Sequence, residues 1–486
     1  MQEQTTFTAP PRPAHRGSIL PARLAAALVQ AAALYGLSLG ATTQGAWQAA
    51  HPQWFIPLLL MAVYVPLIVI VSLGHMPGRA LFIWALACAV IIAGLGYHEA
   101  TRGRMLEDAG AIAWPRFTLF LAIAAMLFTA QVLVVNGIAA HRLLAPYKRH
   151  FDMAWKLGTQ LALAIAFTGL LWLMLILGAA LFKLLGLHGF FETIGTVWFG
   201  YAATTVSLAT ALHLTDTRSG LIQSVHAIAL ALFSWLLPLL TGIVAAFLCS
   251  LLFTSPDPLW QTRVATPLLL ATMAALVFLI NCSYQDGSPE HSESRAKRLA
   301  ATIGALLLLP LCFLAAWALS LRVTQYGWTV DRILGAAAIA LAACYAVGYA
   351  IAVLRSATWL KHLEVVNVAA TLLAIAMMLA IFSPVADPAR LMVANQVQRL
   401  RAGAVAADQF DYMSLKTDGA RWGMSALQEL AEEQSGPDAE AIRGNAQRAL
   451  ASKSPYAAGE APPTAPSDRP DAGHRSSSDA PPACCP

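Results

Sequence analysis

The sequence predicts an all-α protein, a polytopic transmembrane helix bundle of about 11 spans with a short helical tail. Hydrophobic residues make up 58% of the 486 positions and charged residues only 12%, whereas soluble domains average about 25% charged residues. Eleven apolar runs are each long enough for a helix of roughly 20 residues to cross a bilayer. Residues 385–486 hold 10 of the 31 basic and 13 of the 26 acidic residues, so a polar tail follows the bundle.

Four regions follow one another along the chain. A polar N-terminal segment, 1–23, precedes the transmembrane bundle, 24–384; an amphipathic helical tail, 385–433, precedes a Pro/Ser/Ala-rich end, 434–486. That end has the composition of a disordered segment. The runs are continuously apolar, so their length and not their periodicity favours helices. The predicted spans are 24–42, 54–74, 80–97, 117–137, 157–182, 193–214, 225–253, 264–281, 299–321, 333–354 and 365–384.

The distribution of basic residues predicts the orientation. The first run, 24–42, follows several arginines as a signal peptide does, but a weak cleavage signal and ten further runs favour an uncleaved span. With the N-terminus inside, the inner connections carry 14 Lys and Arg and the outer loops carry 7, as the positive-inside rule requires. We therefore expect a multi-pass bacterial inner-membrane protein with a cytoplasmic N-terminus and a periplasmic tail, although one span more or fewer would reverse the tail.

Composition and motifs exclude several classes of partner and chemistry. The basic residues lie in separate loops and not on one face, so no nucleic-acid partner is predicted. No phosphate-binding loop, nucleophile elbow or zinc-protease motif occurs, so no cofactor, metal or catalytic residue is predicted. Membrane lipids and other envelope proteins are the expected partners. In the periplasm Cys484 or Cys485 can form an intermolecular disulfide; the alternative is free thiols.

All charged residues fall outside the predicted spans. Ion-coupled and proton-coupled transporters usually carry a charged residue within the membrane. This distribution therefore argues against such a transporter, while it leaves a passive channel, a lipid transporter or a surface site open.

The run 193–214 carries a polar stripe. Its members share one helix face: Thr193, Thr196, Gly200, Thr204 and Ser207. One interpretation is a hydrophilic pathway for a substrate. The preferred one is a packing seam, because small residues and hydroxyls let membrane helices approach closely.

A titratable cluster follows the same run. His213 and Asp216 are three residues apart, and His226 begins the next run. Together they suggest a metal or acid–base site, but the ligand set is incomplete. A solvated turn is therefore the preferred interpretation.

The loop before the run 333–354 reads Gln325-Tyr326-Gly327-Trp328-Thr329-Val330-Asp331-Arg332. Thr329 is the expected N-cap, Asp331 complements the positive helix end, and the aromatic rings of Tyr326 and Trp328 anchor at the membrane interface. Arg332 is left with three possible roles: snorkelling, pairing with Asp331, or binding a lipid phosphate.

Two further loops contain polar residues. The outer loop 98–116 holds His98, Glu99, Arg102, Arg104, Glu107 and Asp108. It is predicted to be solvated, with an acid–base site as the alternative. The inner loop 141–156 is basic and suits an interfacial segment on an anionic leaflet.

Two amphipathic segments are predicted in the tail. Asp387-Pro388 begins the first helix, whose apolar stripe is Leu391, Ala394, Val397 and Leu400. The second lies near 420–433 and carries Trp422, Met424, Leu427 and Leu430. The two are expected to form a helical hairpin against the membrane surface.

At these segments the chain resembles an uncharacterised bacterial inner-membrane family catalogued as a domain of unknown function, number four-one-five-three. The matching residues are Gln325, Tyr326, Gly327, Trp328, Thr329, Asp331 and Arg332, and in the tail Arg399-Leu400, Gly403, Phe410-Asp411, Gly423 and Leu427. Residues of about 20–433 are covered, and Val330 stands where the family pattern has Pro. The resemblance implies a multi-spanning bundle with a short helical tail, and it brings no substrate.

The leading functional hypothesis is a non-enzymatic envelope scaffold or regulatory component, because the polar features gather at the membrane surfaces. The first alternative is a transporter or flippase for a lipid or another poorly charged substrate, which would use the stripe with Thr204 and Ser207. The second is a membrane enzyme on lipid-linked substrates, which would use Glu99, Glu107 or Asp108.

Overall fold

The computed structural model describes residues 19–39, 47–103, 114–254, 264–285, 294–355, 360–433 and 438–452. The regular structure of these residues is entirely helical. The helices are α1 Ile19–Ser38, α2 Trp47–Ala50, α3 Pro52–Ser72, α4 Gly78–Gly103, α5 Phe117–Ala140, α6 Tyr147–Leu184, α7 Gly189–Ile194, α8 Val197–Thr217, α9 Ser219–Ser250, α10 Ala265–Tyr284, α11 Arg295–Tyr326, α12 Val330–Arg355, α13 Leu363–Ile381, α14 Pro388–Arg401, α15 Tyr412–Asp418, α16 Ala420–Ala431 and α17 Ala439–Ala451.

In the part of the chain so described, 10 helices are long and apolar enough to cross a membrane: α1, α3 to α6, and α9 to α13. This confirms the all-α, multi-pass fold class. The predicted span 193–214 is not among them. Its residues form the end of the short α7 and most of α8, and Thr and Ser occupy positions of α8 where the other spans carry aliphatic side chains.

Helix α8 nevertheless lies within the bundle, antiparallel to α1 and α6. Near the start of α1, Arg23 Nη2 donates to Asp216 Oδ2 at the end of α8, 3.0 Å away. Farther along both helices, the Thr205 hydroxyl donates to the Ala27 carbonyl at 3.0 Å. From the first half of α6, Gln160 Nε2 also reaches Asp216, at 3.4 Å. An eleventh long helix therefore continues the alternation of direction.

Because the long helices alternate in direction, the bundle has two distinct ends. The Asp216 end holds the first residues of α1 and α6 and the last residues of α8. At the other, the tail end, His98 near the end of α4 contacts Asp387 directly after α13. The start of α1 and the tail thus lie at opposite ends of the bundle.

Apolar packing holds the long helices in two large cores, besides a smaller one of α1, α3, α6 and α8 around Ala209. One surrounds Phe55 and Ile92, where α3, α4 and α5 meet; the other surrounds Leu276, where α9 to α12 meet. The first core needs a glycine, because a Cβ on Gly96 of α4 would lie 2.8 Å from the Pro57 Cα of α3. Close backbone approach through small residues is how membrane helices gain packing contacts.

Helices α14 to α17 form a small extra core of their own at the tail end, and we call these four helices the tail unit. As the Asp-Pro pair predicts, Asp387 caps α14, with its Oδ1 accepting the Ala389 N–H at 2.8 Å. Helix α16 covers most of the second predicted amphipathic segment and buries Leu427 and Leu430. The tail unit is thus a compact helical assembly and not a two-helix hairpin.

The apolar stripe predicted along α14 is rotated in the structure. Leu391 and Ala394 are exposed, whereas Met392 and Val393 are buried together with Leu400. The reason is that α14 packs between α12 and α16, which bury a different face of the helix.

One helix extends the tail unit into the segment 434–486 predicted to be disordered. Helix α17 buries Ile442, Ala446 and Ala449 in the core of the tail unit. The composition of the segment does not predict this helix, because its three buried residues stand among polar ones. Residues 453–486, with Cys484 and Cys485, lie outside the described residues.

Two of the predicted loops are partly helical. Helix α4 continues to Gly103, so His98, Glu99 and Arg102 lie in its last turns and are buried, not solvated. Helix α6 begins at Tyr147, which takes in much of the basic loop 141–156. Apolar runs alone define the predicted spans. They do not reveal polar residues at helix ends that are buried against other elements. Charged side chains are therefore buried within membrane-length helices, contrary to the prediction.

Candidate functional site

A glycine turn and a helix cap shape the loop between α11 and α12. Gly327 ends α11 with a φ of +73°, a conformation that favours glycine. Thr329 caps α12, as predicted, by accepting the Arg332 N–H at 3.4 Å. Arg332 Nη1 donates to the Gly327 carbonyl at 2.6 Å, and its guanidinium lies 5.4 Å from the Tyr326 ring centroid.

This loop holds the tail unit. The Trp328 N–H donates to Asn395 Oδ1 at 3.0 Å. Gln396 Nε2 donates to the carbonyls of Trp328, at 2.9 Å, and Tyr326, at 3.1 Å. Arg399 Nη2 reaches the Gln325 carbonyl at 3.1 Å. The predicted residues Tyr326, Trp328 and Arg332 thus lie together at the junction with α14, while Asp331 is exposed beside them.

A second contact between bundle and tail unit was missed from the sequence. His98 Nε2 and Arg102 Nε of α4 lie 2.8 Å and 2.9 Å from Asp387 Oδ2. All three side chains are buried, and Asp387 is only 1% exposed. The Trp422 ring of α16 lies over His98, with ring centroids 6.1 Å apart. No local signal reveals this contact, because 289 positions separate His98 from Asp387.

The electrostatics of this contact favour the ionised carboxylate. Burial alone raises the pKa of the Asp387 carboxyl. The hydrogen bond from His98, the charge of Arg102 and the Ala389 N–H outweigh burial and hold that pKa below its ordinary value. The tail unit is thus attached through a buried negative charge that three donors stabilise.

Glu99, one of the proposed acid–base residues of the loop 98–116, forms an ion pair. Both carboxylate oxygens of Glu99 accept from Arg116 at the start of α5, at 2.6 Å and 2.7 Å. The Glu99 carboxylate is therefore engaged in a two-pronged ion pair. Glu107 and Asp108 lie outside the described residues.

At the opposite end, Asp216 is the centre of an ion-pair cluster. Arg23 Nη2 and Lys156 Nζ each lie 3.0 Å from one of its oxygens, and His75 Nε2 lies 3.4 Å away. The four residues come from α1, α6, α8 and the turn after α3. The cluster therefore joins elements that are far apart in the sequence.

The predicted grouping of His213, Asp216 and His226 does not form a ligand set. His226 stacks on Trp155 with ring centroids 5.3 Å apart, and Asp216 is bonded to other helices. Over the described residues, no three His, Cys, Asp or Glu side chains are placed to hold a metal ion. His213 lies within electrostatic range of Arg23 and Asp216.

Two hydroxyls of the polar stripe of α8 form a contact seam with α6. The hydroxyls of Ser207 and Thr168 of α6 lie 3.0 Å apart, and Trp172 Nε1 donates to Thr204 Oγ1 at 3.1 Å. The other part of the predicted stripe, Thr193 and Thr196, precedes α8. Beside the seam lies an open apolar groove of about 500 Å³ between α6 and α8.

A buried polar network joins four long helices and was also missed. Asn367 Nδ2 donates to Tyr147 Oη at 3.1 Å and to Asn281 Oδ1 at 2.6 Å. Tyr349 Oη donates to Asn367 Oδ1 at 2.8 Å and accepts from Asn281 Nδ2 at 2.7 Å. Each polar group meets another, so the network closes on itself. The sequence signal for this network is an asparagine in each of two apolar runs, Asn281 and Asn367.

Comparison with known proteins identifies a family for the chain and no individual relative. Residues 67–422 match a family described as "Domain of unknown function (DUF4153)". No curated protein matches the chain, and no solved structure does. The matched segment begins within α3 and ends within α16, so it contains both contacts between bundle and tail unit.

Proposed function

The chain belongs to the DUF4153 family. We propose that it is a non-enzymatic envelope scaffold that presents its tail unit to another envelope protein. A multi-pass bundle with a folded unit at one end suits this role. The bundle fixes the position of that unit at the membrane surface.

The double attachment of the tail unit carries the proposal. Asp387 is buried against His98 and Arg102, and α14 is bonded to the loop that follows α11. A unit attached only by a linker would move freely, whereas two separate contacts hold this one in a single orientation. Fixed orientation is what a docking platform requires, because it lowers the entropy lost on binding.

The proposed location is the bacterial inner membrane, with a cytoplasmic N-terminus and a periplasmic tail unit. The excess of basic residues in the inner connections supports this orientation. The opposite positions of the α1 start and the tail unit are consistent with it.

A substitution at the junction tests the scaffold proposal. We expect Arg332→Ala to loosen the loop that holds α14 and to shift the protein from a larger native complex to its free form in solubilised membranes. Arg355→Ala, an exposed arginine at the other end of the same helix, is the matched control and should leave the complex intact. Solute or lipid flux in liposomes that contain only this protein would contradict a purely structural role.

The groove between α6 and α8 favours a second candidate, transport of a lipid or another poorly charged substrate. It lies beside Thr204 and Ser207, the residues that the transport hypothesis singles out. On this proposal Thr204→Val with Ser207→Ala should abolish flux at an unchanged protein level. Unchanged flux would remove the stripe from the pathway.

A further inference from the structure

The Asp216 cluster contains more hydrogen-bond donors than the protein itself satisfies. Arg23 is 2% exposed, yet its Nε and Nη1 have no partner. Nδ1 of His75 and Nδ1 of His213 are likewise buried without a partner. A buried polar nitrogen without a partner costs about 1–3 kcal/mol, so these four nitrogens point to a ligand that the described residues do not supply.

The cluster also has a surplus of positive charge. Arg23 and Lys156 share the single carboxylate of Asp216, and Gln160 adds another donor to it. Asp216 is thus occupied by groups on three other elements: α1, α6 and the turn after α3. The buried Nε and Nη1 of Arg23 and the Nδ1 of each histidine still lack a partner, which a second oxygen-rich anion would supply. Hydrogen bonds from charged donors to phosphate oxygens are among the strong ones in proteins.

The cluster is open to a ligand on one side. Lys156 is 34% exposed and Asp216 is 20% exposed, while Arg23 forms the buried floor. A phosphate can therefore reach the cluster from the Asp216 end of the bundle.

The apolar groove between α6 and α8 runs toward this cluster. Its lining on α8 extends from Trp198 to Thr210, which is about 18 Å at 1.5 Å per residue. That length is close to one leaflet of a bilayer, about 15 Å, or half of its hydrocarbon thickness. Thr210 and His213 are three residues apart and lie on the same side of α8. On α6, Phe167 of the groove and Gln160 of the cluster are two turns apart.

We propose that the protein binds an anionic phospholipid at this place. Its phosphate contacts Arg23, Lys156 and His213, and one acyl chain lies in the groove between α6 and α8. A free phosphate would satisfy the donors but would leave the groove unused. An uncharged lipid would fill the groove but leave the donors unsatisfied. The inference stands apart from the scaffold proposal, whose residues lie at the opposite end.

Binding by the purified full-length protein tests this site. The probes are dioctanoyl phosphatidylglycerol, dioctanoylglycerol and inorganic phosphate, each titrated by calorimetry. We expect the phosphatidylglycerol to bind about tenfold more tightly than either other probe, because it alone supplies both the anion and the chain. Equal affinity for phosphate alone, or for the uncharged lipid, would overturn the proposal.

Variants of the two halves of the site make the test specific. Lys156→Gln removes a charge and Ala203→Phe fills the groove; each should weaken phosphatidylglycerol binding by about tenfold. Matched controls are Lys361→Gln, an exposed lysine near the start of α13, and Ala231→Phe, an exposed alanine of α9. If Lys156→Gln disturbs folding, His213→Ala removes a donor without breaking an Asp216 contact. Binding that none of the site variants weakens, or that the controls weaken equally, would contradict the site.

Discussion

The carboxylate of Asp387 binds groups on two different helices at the tail end. One oxygen caps α14 and the other receives His98 and Arg102 of α4. The residue thus connects the first turn of the tail unit to the last turns of a membrane helix. Its removal would leave two buried donors of α4 without an acceptor.

Asp387→Ala should release the tail unit from α4. Breaking a buried ion pair by removing one partner costs about 3–5 kcal/mol, so we expect rapid proteolysis and fast hydrogen exchange in α14 to α16. Asp408→Ala, which removes an exposed acid of the same unit, is the control. Equal protection of the tail unit in the two variants would contradict the prediction.

The same carboxylate predicts a pH dependence. The pKa of Asp387 is lowered in the folded state, so its contribution to attachment is complete above the unfolded pKa of about 3.9 and is lost as the pH falls through the lower folded value. Hydrogen exchange of the α14 amides, corrected for intrinsic rates, should rise in that acidic range. Asp387→Asn should remove the dependence; if it persists, another group controls attachment.

Gly327 tests the other attachment. A Cβ at this position would lie 2.8 Å from Arg399 Cδ, and the φ of +73° with a ψ of −173° is a backbone region almost confined to glycine, which costs any other residue about 1–3 kcal/mol. Gly327→Ala should therefore destabilise the tail unit more than Gly403→Ala, whose φ is +68° but whose Cβ would meet nothing within 4 Å. The difference between their melting temperatures measures what the Gly327 position adds to the attachment, and equal losses would contradict the prediction.

At the scale of elements, the sequence predicts the bundle well and its polar contacts poorly. Every predicted span has a helix in the structure, because a run of apolar residues is a local property. Helix α4 illustrates the limit: its apolar run stops at Tyr97, while the helix continues to Gly103. His98 and Arg102 lie in this extension of the helix and are buried against Asp387, which is distant in sequence. The same applies to Arg23 and Asp216, whose pairing depends on how α1 and α8 are arranged.

The network around Asn367 predicts how four helices are held together. Asn367→Ala removes its hydrogen bonds to Tyr147, Asn281 and Tyr349 at once. Hydrogen bonds between membrane helices contribute about 0.6–2 kcal/mol each, so thermal unfolding in detergent should occur at a clearly lower temperature. Thr371→Val, which loses a hydroxyl bonded only within α13, should have little effect. A melting temperature unchanged by Asn367→Ala would show that apolar packing alone fixes these helices.

At the scale of the whole molecule, the two ends of the bundle carry different polar sites. One holds the tail unit and the other holds the Asp216 cluster, with antiparallel helices between them. Substitutions at one end should therefore leave the other end unaffected, since residues without shared partners act almost additively.

The alternation of helices predicts opposite sides for the two chain ends. A reporter joined after Ser452, beyond α17, should be active on the side of the membrane opposite to one placed before Ile19. Protein levels of the two fusions provide the control. Activity of both reporters on the same side would mean that α8 does not cross the membrane.

The long separation between His98 and Asp387 also affects how the protein is made. At about 5–20 residues per second, the ribosome needs roughly 15–60 s to add the 289 positions between them. During that interval α4 already exists, but its histidine and arginine lack the carboxylate. A chain that ends before Asp387 keeps those donors unpaired, so the contact can form only after the whole bundle has been synthesised.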